Sequence, residues 1–395
     1  MNNLAYPLFK IEYSGTLLNR TLNDSVDLSV RGGMNVRVGT GDFTLYNIND
    51  LLKSGANAGS QVIKFGDTAN IWLGYNGGPQ VGSRLLFPGI VQELSHDLIA
   101  KEKVIKVNLV NKTERLLSGL DSKDYPSGGT INTAGAIITD MISRINGYRK
   151  AGEASITTTN VTTTTKIISY AYNFKTAYDV ISDLSSPEYT GQSQFLFYID
   201  TNNDLNWKIR PGLTTTTPNL DETQFIEFKA EKLLMDVVNA IIMNAGNDLN
   251  GNAILTYAVN YPSVTELGFK WKYFVRTEIA KRVINMFPSF TNQQVRDEVK
   301  NQAKAEANRI VKIMGEPRWR VNAIAKGTTN YPGTTTQAIV SEIVKVTSPS
   351  LNWASAGSKF LRITDIQHTF NTAGWRTRYE MKEDDDTKAI IGALV

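Results

Sequence analysis

Val104-Ile105-Lys106-Val107-Asn108-Leu109-Val110 decides the class of fold. Ile105, Val107 and Leu109 occupy alternate positions, with Lys106 and Asn108 between them. Successive side chains of a strand point to opposite faces, so this period of two predicts a half-buried β-strand. Three runs toward the N-terminus read the same way. Val26, Leu28 and Val30 alternate and continue past Gly32-Gly33 into Val36 and Val38. Ile71-Trp72-Leu73-Gly74-Tyr75 ends in the turn-forming Asn76-Gly77-Gly78-Pro79. Leu85-Leu86-Phe87-Pro88-Gly89-Ile90-Val91 carries a Pro-Gly pair, which is expected to break the ladder or bulge the strand. Short strands with turn signals between them predict a barrel or a sandwich. Residues 47–60, polar and Gly-rich after Leu51-Leu52, read as a loop or insertion.

Beyond this β part the period changes. Ala134, Ile137, Ile138, Met141, Ile142 and Ile145 follow Asn132-Thr133 in steps of three and four and precede Asn146-Gly147. That is a capped amphipathic helix near 133–146. A second helix is expected near 173–184, burying Ala177, Val180, Ile181 and Leu184. A hairpin over 194–210 follows: Phe195, Phe197 and Ile199 alternate, residues 201–204 turn, and Leu205, Trp207 and Ile209 alternate back. Threonine tracts at 157–165 and 214–217 read as exposed strands or linkers, the second as a domain boundary before Pro218.

The last third returns to strands. Residues 237–243 are strand-like, and 256–259 are placed to pair with them. The helix 293–314 shows one apolar face through Val295, Val299, Ala303, Ala307, Ile310, Val311 and Met314, and Gly315-Glu316-Pro317 stops it. Strands resume at 319–321, 339–346, 360–366 and 376–381. The order is β over 1–115, α+β over 116–218, then β over 219–395 with an inserted helix and an excursion near 246–282. The fold class is therefore α+β, mostly β.

Composition removes several kinds of chemistry. The 395 residues hold 42 Lys+Arg and 38 Asp+Glu, a formal charge of +4, too dilute to imply a nucleic-acid partner. With 41% hydrophobic and 20% charged residues, the chain is expected to fold into two to four domains. It has no cysteine, which excludes disulfides, thiolate metal sites and cysteine nucleophiles. Two histidines, His96 and His368, rule out a multi-histidine metal centre. No basic n-region with an apolar run opens the sequence, and no run of about 18 apolar residues occurs. A protein made in the cytoplasm with no membrane span of its own is the expectation.

Candidate chemistry is sparse. His96 lies in Glu93-Leu94-Ser95-His96-Asp97, but neighbours on a strand face opposite ways and cannot form a relay among themselves. His96 and His368 read as structural or surface residues. Glu383-Asp384-Asp385-Asp386 lacks the spacing and glycine of a calcium loop and reads as a solvated charge run. Gly39-Thr40-Gly41 is not a nucleotide fingerprint. Lys101, Lys103, Lys106, Lys112 and Arg115 form a strip read as a hydrated strand face. Trp271, Tyr273 and Phe274, beside Lys270 and Lys272, could stack bases, but read better as core or interface. A carboxylate pair for glycoside hydrolysis stays open as an alternative, with nothing to select it. No catalytic, cofactor-binding or metal-ligating residue is nominated.

The order of segments resembles phage tail and baseplate hub proteins. Residues 66–75, Gly-Asp leading into Ile71-Trp72-Leu73-Gly74-Tyr75, followed by Leu86-Phe87-Pro88-Gly89-Ile90-Val91, are similar to that family's first barrel. Leu116-Leu117, the two helices and the hairpin ending at Trp207 resemble its connecting module. Asp236-Val237-Val238-Asn239, the Ala-rich helix, Ile363-Thr364-Asp365-Ile366-Gln367-His368 and Gly374-Trp375-Arg376-Thr377 resemble its second barrel. The insertion 47–60, the threonine tracts and the excursion near 246–282 depart from the pattern.

The resemblance implies two tube-type β-barrel domains flanking the α+β module. It also implies a homotrimer whose pseudo-hexameric ring adapts a six-fold tail tube to a three-fold spike, in the virion tail or baseplate. The implied partners are the tail tube or a tube-initiator protein, a central spike and a tape-measure protein, with no cofactor, nucleic acid or membrane. Since the chain ends soon after the second barrel, the spike is expected to be a separate polypeptide, unlike the fused hub–spike proteins of type VI secretion. Residues 47–60 and 157–165 are expected at neighbour contacts, being long and polar. The competing readings are a tail-associated peptidoglycan hydrolase and a carbohydrate- or receptor-binding tail protein.

Overall fold

The computed structural model describes residues 7–13, 16–17, 27–33, 39–46, 66–75, 85–99, 102–148, 154–192, 194–199, 202–210, 219–232, 234, 237–326, 342–353, 358–371 and 374–383. Residues 47–60, 214–217 and 384–386 lie outside them.

The first part contributes β1 (Pro7–Tyr13), β2 (Thr16–Leu17), β3 (Asp27–Gly33), β4 (Thr40–Tyr46), β5 (Thr68–Tyr75), β6 (Leu85–Ile99) and β7 (Glu102–Asn111). Alternation acts as expected in β7, where Ile105, Val107 and Leu109 are buried with Leu28, Val30, Phe43, Ile71 and Phe87. Pro88-Gly89 does not interrupt β6, which runs for 15 residues. Its irregularities fall instead at Leu86 and Gln92, on either side of that pair. Gly89 is there for close approach: a Cβ would sit 2.8 Å from Leu109 Cδ1 and 3.0 Å from the Ala69 carbonyl.

The middle part holds β8 (Asp121–Tyr125), α1 (Ala134–Asn146), β9 (Tyr170–Lys175), α2 (Ala177–Leu184), α3 (Pro187–Thr190), β10 (Phe195–Ile199) and β11 (Leu205–Ile209). Helix α1 starts at the Thr133 cap, whose Oγ1 accepts from the Ala136 amide. The second helix starts at 177, not near 173, because Tyr170–Lys175 pairs with β8 and Thr176 supplies the cap. The hairpin has the expected register, Phe197 opposite Trp207. The tract 157–165 is tied into the middle part at three points, while Thr157, Thr159, Thr163 and Thr165 stay exposed. Thr157 and Val161 bridge to Asp204 and Trp207, and buried Thr164 accepts the Gly135 amide of α1.

Next come β12 (Asn219–Asp221) and β13 (Phe225–Lys232), then β14 (Ala240–Asn247), β15 (Ala253–Val259), α4 (Tyr261–Leu267), β16 (Trp271–Val275), α5 (Glu278–Met286) and α6 (Asn292–Met314). The chain closes with β17 (Trp319–Lys326), β18 (Ile343–Thr347), β19 (Lys359–Asn371) and β20 (Gly374–Lys382). Helix α6 has the expected apolar face, yet it does not cover the last strands. With α5 it packs on the three-stranded sheet β15-β14-β16, forming a core of its own around Ile241, Met243, Val283, Val299 and Ala303.

The fold is α+β and mostly β. Strands of the first and last parts lie in one sheet, ordered β13-β17-β20-β19-β3-β4-β7-β6-β5-β1-β2, with β18 on β19 and β12 on β18. Among the described residues no ladder closes into a ring, so the two parts expected as separate barrels are continuous with each other. The last part comes near to closing: β12 pairs with β18 at one margin and β13 with β17 at the other, with one three-residue turn between them.

Candidate functional site

The two β parts meet on β19. This 13-residue strand gives one edge to β20 from Arg362 to Asn371. Its other edge is divided between β18, along Lys359–Arg362, and β3, along Asp365–Phe370. The change of partner coincides with a bulge between Ile363 and Asp365, where the Thr364 hydroxyl donates to the Glu380 carbonyl. A bulge adds twist, and here it turns β19 from one neighbour to the other.

Polar side chains hold this junction. Arg31 Nε donates to both carboxylate oxygens of Asp365, at 3.0 and 3.2 Å. Burial pushes the Asp365 carboxyl up and prevails over the opposing Arg31 contact. Gln367 Nε2 donates to Ser29 Oγ, and His368 Nδ1 lies 2.9 Å from Thr377 Oγ1 beside the Trp375 ring. His368 is buried, and Trp375 belongs to the first part's core. A strand from the C-terminal end therefore packs into the N-terminal core.

A second polar cluster fixes the middle part. Arg144 Nη2 donates to the hydroxyls of Tyr125 and Tyr172, at 2.8 and 2.6 Å, and its guanidinium pairs with Asp121 and Asp140. Burial, then the Asp140 contact, pushes the Tyr125 hydroxyl far up. Every group here faces a partner, which makes the cluster a clamp of α1 on β8–β9.

The sequence candidates fall in separate places. His96 is on β6 opposite Ile105, and His368 is in the junction, so the two histidines share no strand. Glu383 is buried and accepts the Trp319 amide, so it is not part of a solvated run. Arg115 likewise leaves the basic strip: it is buried and donates to the Ala154 carbonyl at 2.8 Å. Lys106 is exposed on β7. Trp271 and Tyr273 are exposed on β16, whereas Phe274 packs against the helix-covered core. Asp42 is pushed up, first by burial and then by Asp27. No group of three or more His, Cys, Asp or Glu among the described residues is placed to hold a metal ion. Nor is any helix among them long and apolar enough to cross a membrane.

Sequence reasoning missed Arg31, and it met Asp365 only as part of a motif. Arg31 is an ordinary outward polar position of an alternating strand, Asp365 is buried beyond the bulge of β19, and only the pairing of β3 with β19 brings them together.

No family model matches the sequence, and no curated protein matches it. Solved structures do match, over nearly the whole chain. A tail protein from Neisseria meningitidis MC58 superposes with a TM-score of 0.61 at 9% identity, covering 97% of this chain and 98% of that one. The 43 kDa tail protein of prophage MuSo2 from Shewanella oneidensis gives 0.60 at 14% identity, covering 96% and 99%. A chain of the Francisella PdpA-VgrG complex gives 0.54 at 10% identity, covering 97% of this chain and 59% of that one. These likenesses agree with the resemblance to phage tail and baseplate hub proteins, and at 9–14% identity they are likenesses of fold.

Proposed function

We propose that this chain is a structural hub of a phage tail or a related injection machine, and that it works by shape rather than by catalysis. The observation that carries the reading is the end-to-end match to two tail proteins, which leaves no large segment of either chain unmatched. The junction on β19 supports it, because one chain there lays two β-rich parts side by side in one sheet.

In this reading residues 1–115 and 219–395 are two related, rolled β-domains and 116–218 connects them. Three copies then offer six similar β-units around an axis, the arrangement needed to match a six-fold tube on one side and a three-fold spike on the other. A closed ring of this kind also disposes of exposed sheet edges. The protein belongs to the virion tail, as a homotrimer that touches the tail tube or its initiator, the central spike and the tape-measure protein.

Sedimentation equilibrium of the purified chain tests the proposal. Three times the 43.8 kDa chain mass is expected. A species that stays at one chain mass at high concentration overturns it.

A further inference from the structure

Helices α5 and α6 pack on one face of the sheet β15-β14-β16, and among the described residues the large side chains of the other face stand exposed. On the other face, the registers place Ile242 between Tyr257 and Tyr273, and Asn244 between Leu255 and Val275. A third row sets Ala240 between Val259 and Trp271. None of these nine positions carries a charge, and the Phe269 ring stacks on Trp271 at 5.5 Å and 7° to extend the same face. Soluble proteins scatter single apolar residues over their surface, but a contiguous aromatic face marks a contact.

On the central strand Ala240 is fully buried and Ile242 is 40% exposed, while the rings of Tyr257, Trp271 and Tyr273 stand exposed on the flanking strands. Neighbouring strands lie about 4.8 Å apart, so the two outer rows stand roughly 10 Å from each other. An apolar face of this kind is matched by the same face on a second copy. Area agrees. Apart from Ala240 and Val259, the apolar side chains on this face, from Ile242 to Tyr257, are 40–61% exposed. At about 150–250 Å² per aromatic ring, the face presents on the order of 650 Å², more than an ordinary patch. Two copies face to face bury about 1,300 Å², within the range of specific interfaces. Lys304 Nζ of α6 lies over the Tyr257 ring, 5.4 Å from its centroid, so this ring already holds a cation.

We infer that this face is a two-fold interface with a second copy of the chain, separate from the three-fold contacts proposed above and independent of them. Chains pair through β14 and β16, so monomers associate into dimers, or trimers into hexamers.

Native mass spectrometry and sedimentation up to about 100 µM test it, since interfaces of this size bind from about micromolar to picomolar. Even-numbered association is expected in the wild type. Tyr273→Lys and, separately, Tyr257→Lys should weaken it by about 100-fold or more, through burial of an unpaired charge. Their thermal melts should stay within a few degrees of wild type, because both side chains point away from the core. Leu351→Lys, an exposed apolar position outside this sheet, should change nothing. Even-numbered species that persist undiminished in folded variants overturn the inference, as does their absence from the wild type. A trimer without even multiples refutes this interface while leaving the hub reading intact. Even multiples of a monomer do the reverse.

Discussion

Arg31 and Asp365 form the contact across the junction whose energetics are easiest to work out. The Arg31 side chain is 47% exposed and Asp365 only 10%, so the two partners stand in different solvents. Removing Arg31 strands a carboxylate already desolvated at the strand junction. An unsatisfied buried group costs about 1–3 kcal/mol. A half-exposed ion pair itself is worth no more than about 1 kcal/mol. Arg31→Met should therefore lower stability by about 2 kcal/mol, read as a shifted urea midpoint with an unchanged slope.

Asp365→Asn should be milder, within about 1 kcal/mol at pH 7, because it removes the buried charge while keeping the shape. Burial raises the folded-state carboxyl of Asp365 above its ordinary value. A raised acid holds its proton more tightly folded than unfolded. Its contribution is complete below the unfolded value and is lost as pH rises through the folded value. The Asn variant does not titrate, so its stability relative to wild type should climb as pH rises above the ordinary carboxylate value. A variant that instead loses ground as pH rises would show that Arg31 dominates, and would refute the argument.

Three further outcomes follow, two from single sites and one from a loop deletion. Trp207 is fully buried and donates from Nε1 to Ser185 Oγ at 2.8 Å; Trp207→Ala should cost about 3–5 kcal/mol by denaturant melt. Burial alone would raise Asp248, but the amides of Asn252 and Asn250, with Arg296 and Asn292, hold it at about 2. Its stabilisation is present above the unfolded carboxylate value and is lost as pH falls toward about 2, so an acid titration of Asp248→Asn should be flatter than that of wild type. Deleting residues 47–60 should leave a soluble, cooperatively melting chain that no longer assembles, checked by calorimetry beside sedimentation.

Local pattern carried much of this fold. The β7 alternation, the Thr133 cap and the 195–209 hairpin are set by neighbours a few residues away, and they appear where periodicity places them. Position 173 failed because a strand and a helix compete over 170–176, and pairing with β8 decides for the strand. The core formed by α5 and α6 was hidden by a different cause. An amphipathic stripe shows that a helix has a buried face, but not which sheet buries it. The junction was least legible, since β3 and β19 lie more than 300 residues apart, Arg31 fits its strand's alternation, and the bulge that buries Asp365 has no local signal. The threonine tract is mostly exposed, as its composition suggests, but Thr164 is buried and accepts the Gly135 amide, a contact no local pattern announces.

The central claim is that three copies of this chain make a ring. Electron micrographs of the purified protein, averaged without imposed symmetry, test it most directly. The account predicts three-fold averages with a central hole and six β-rich lobes. Averages of a compact single chain, or of a two-fold particle with no three-fold counterpart, would contradict it.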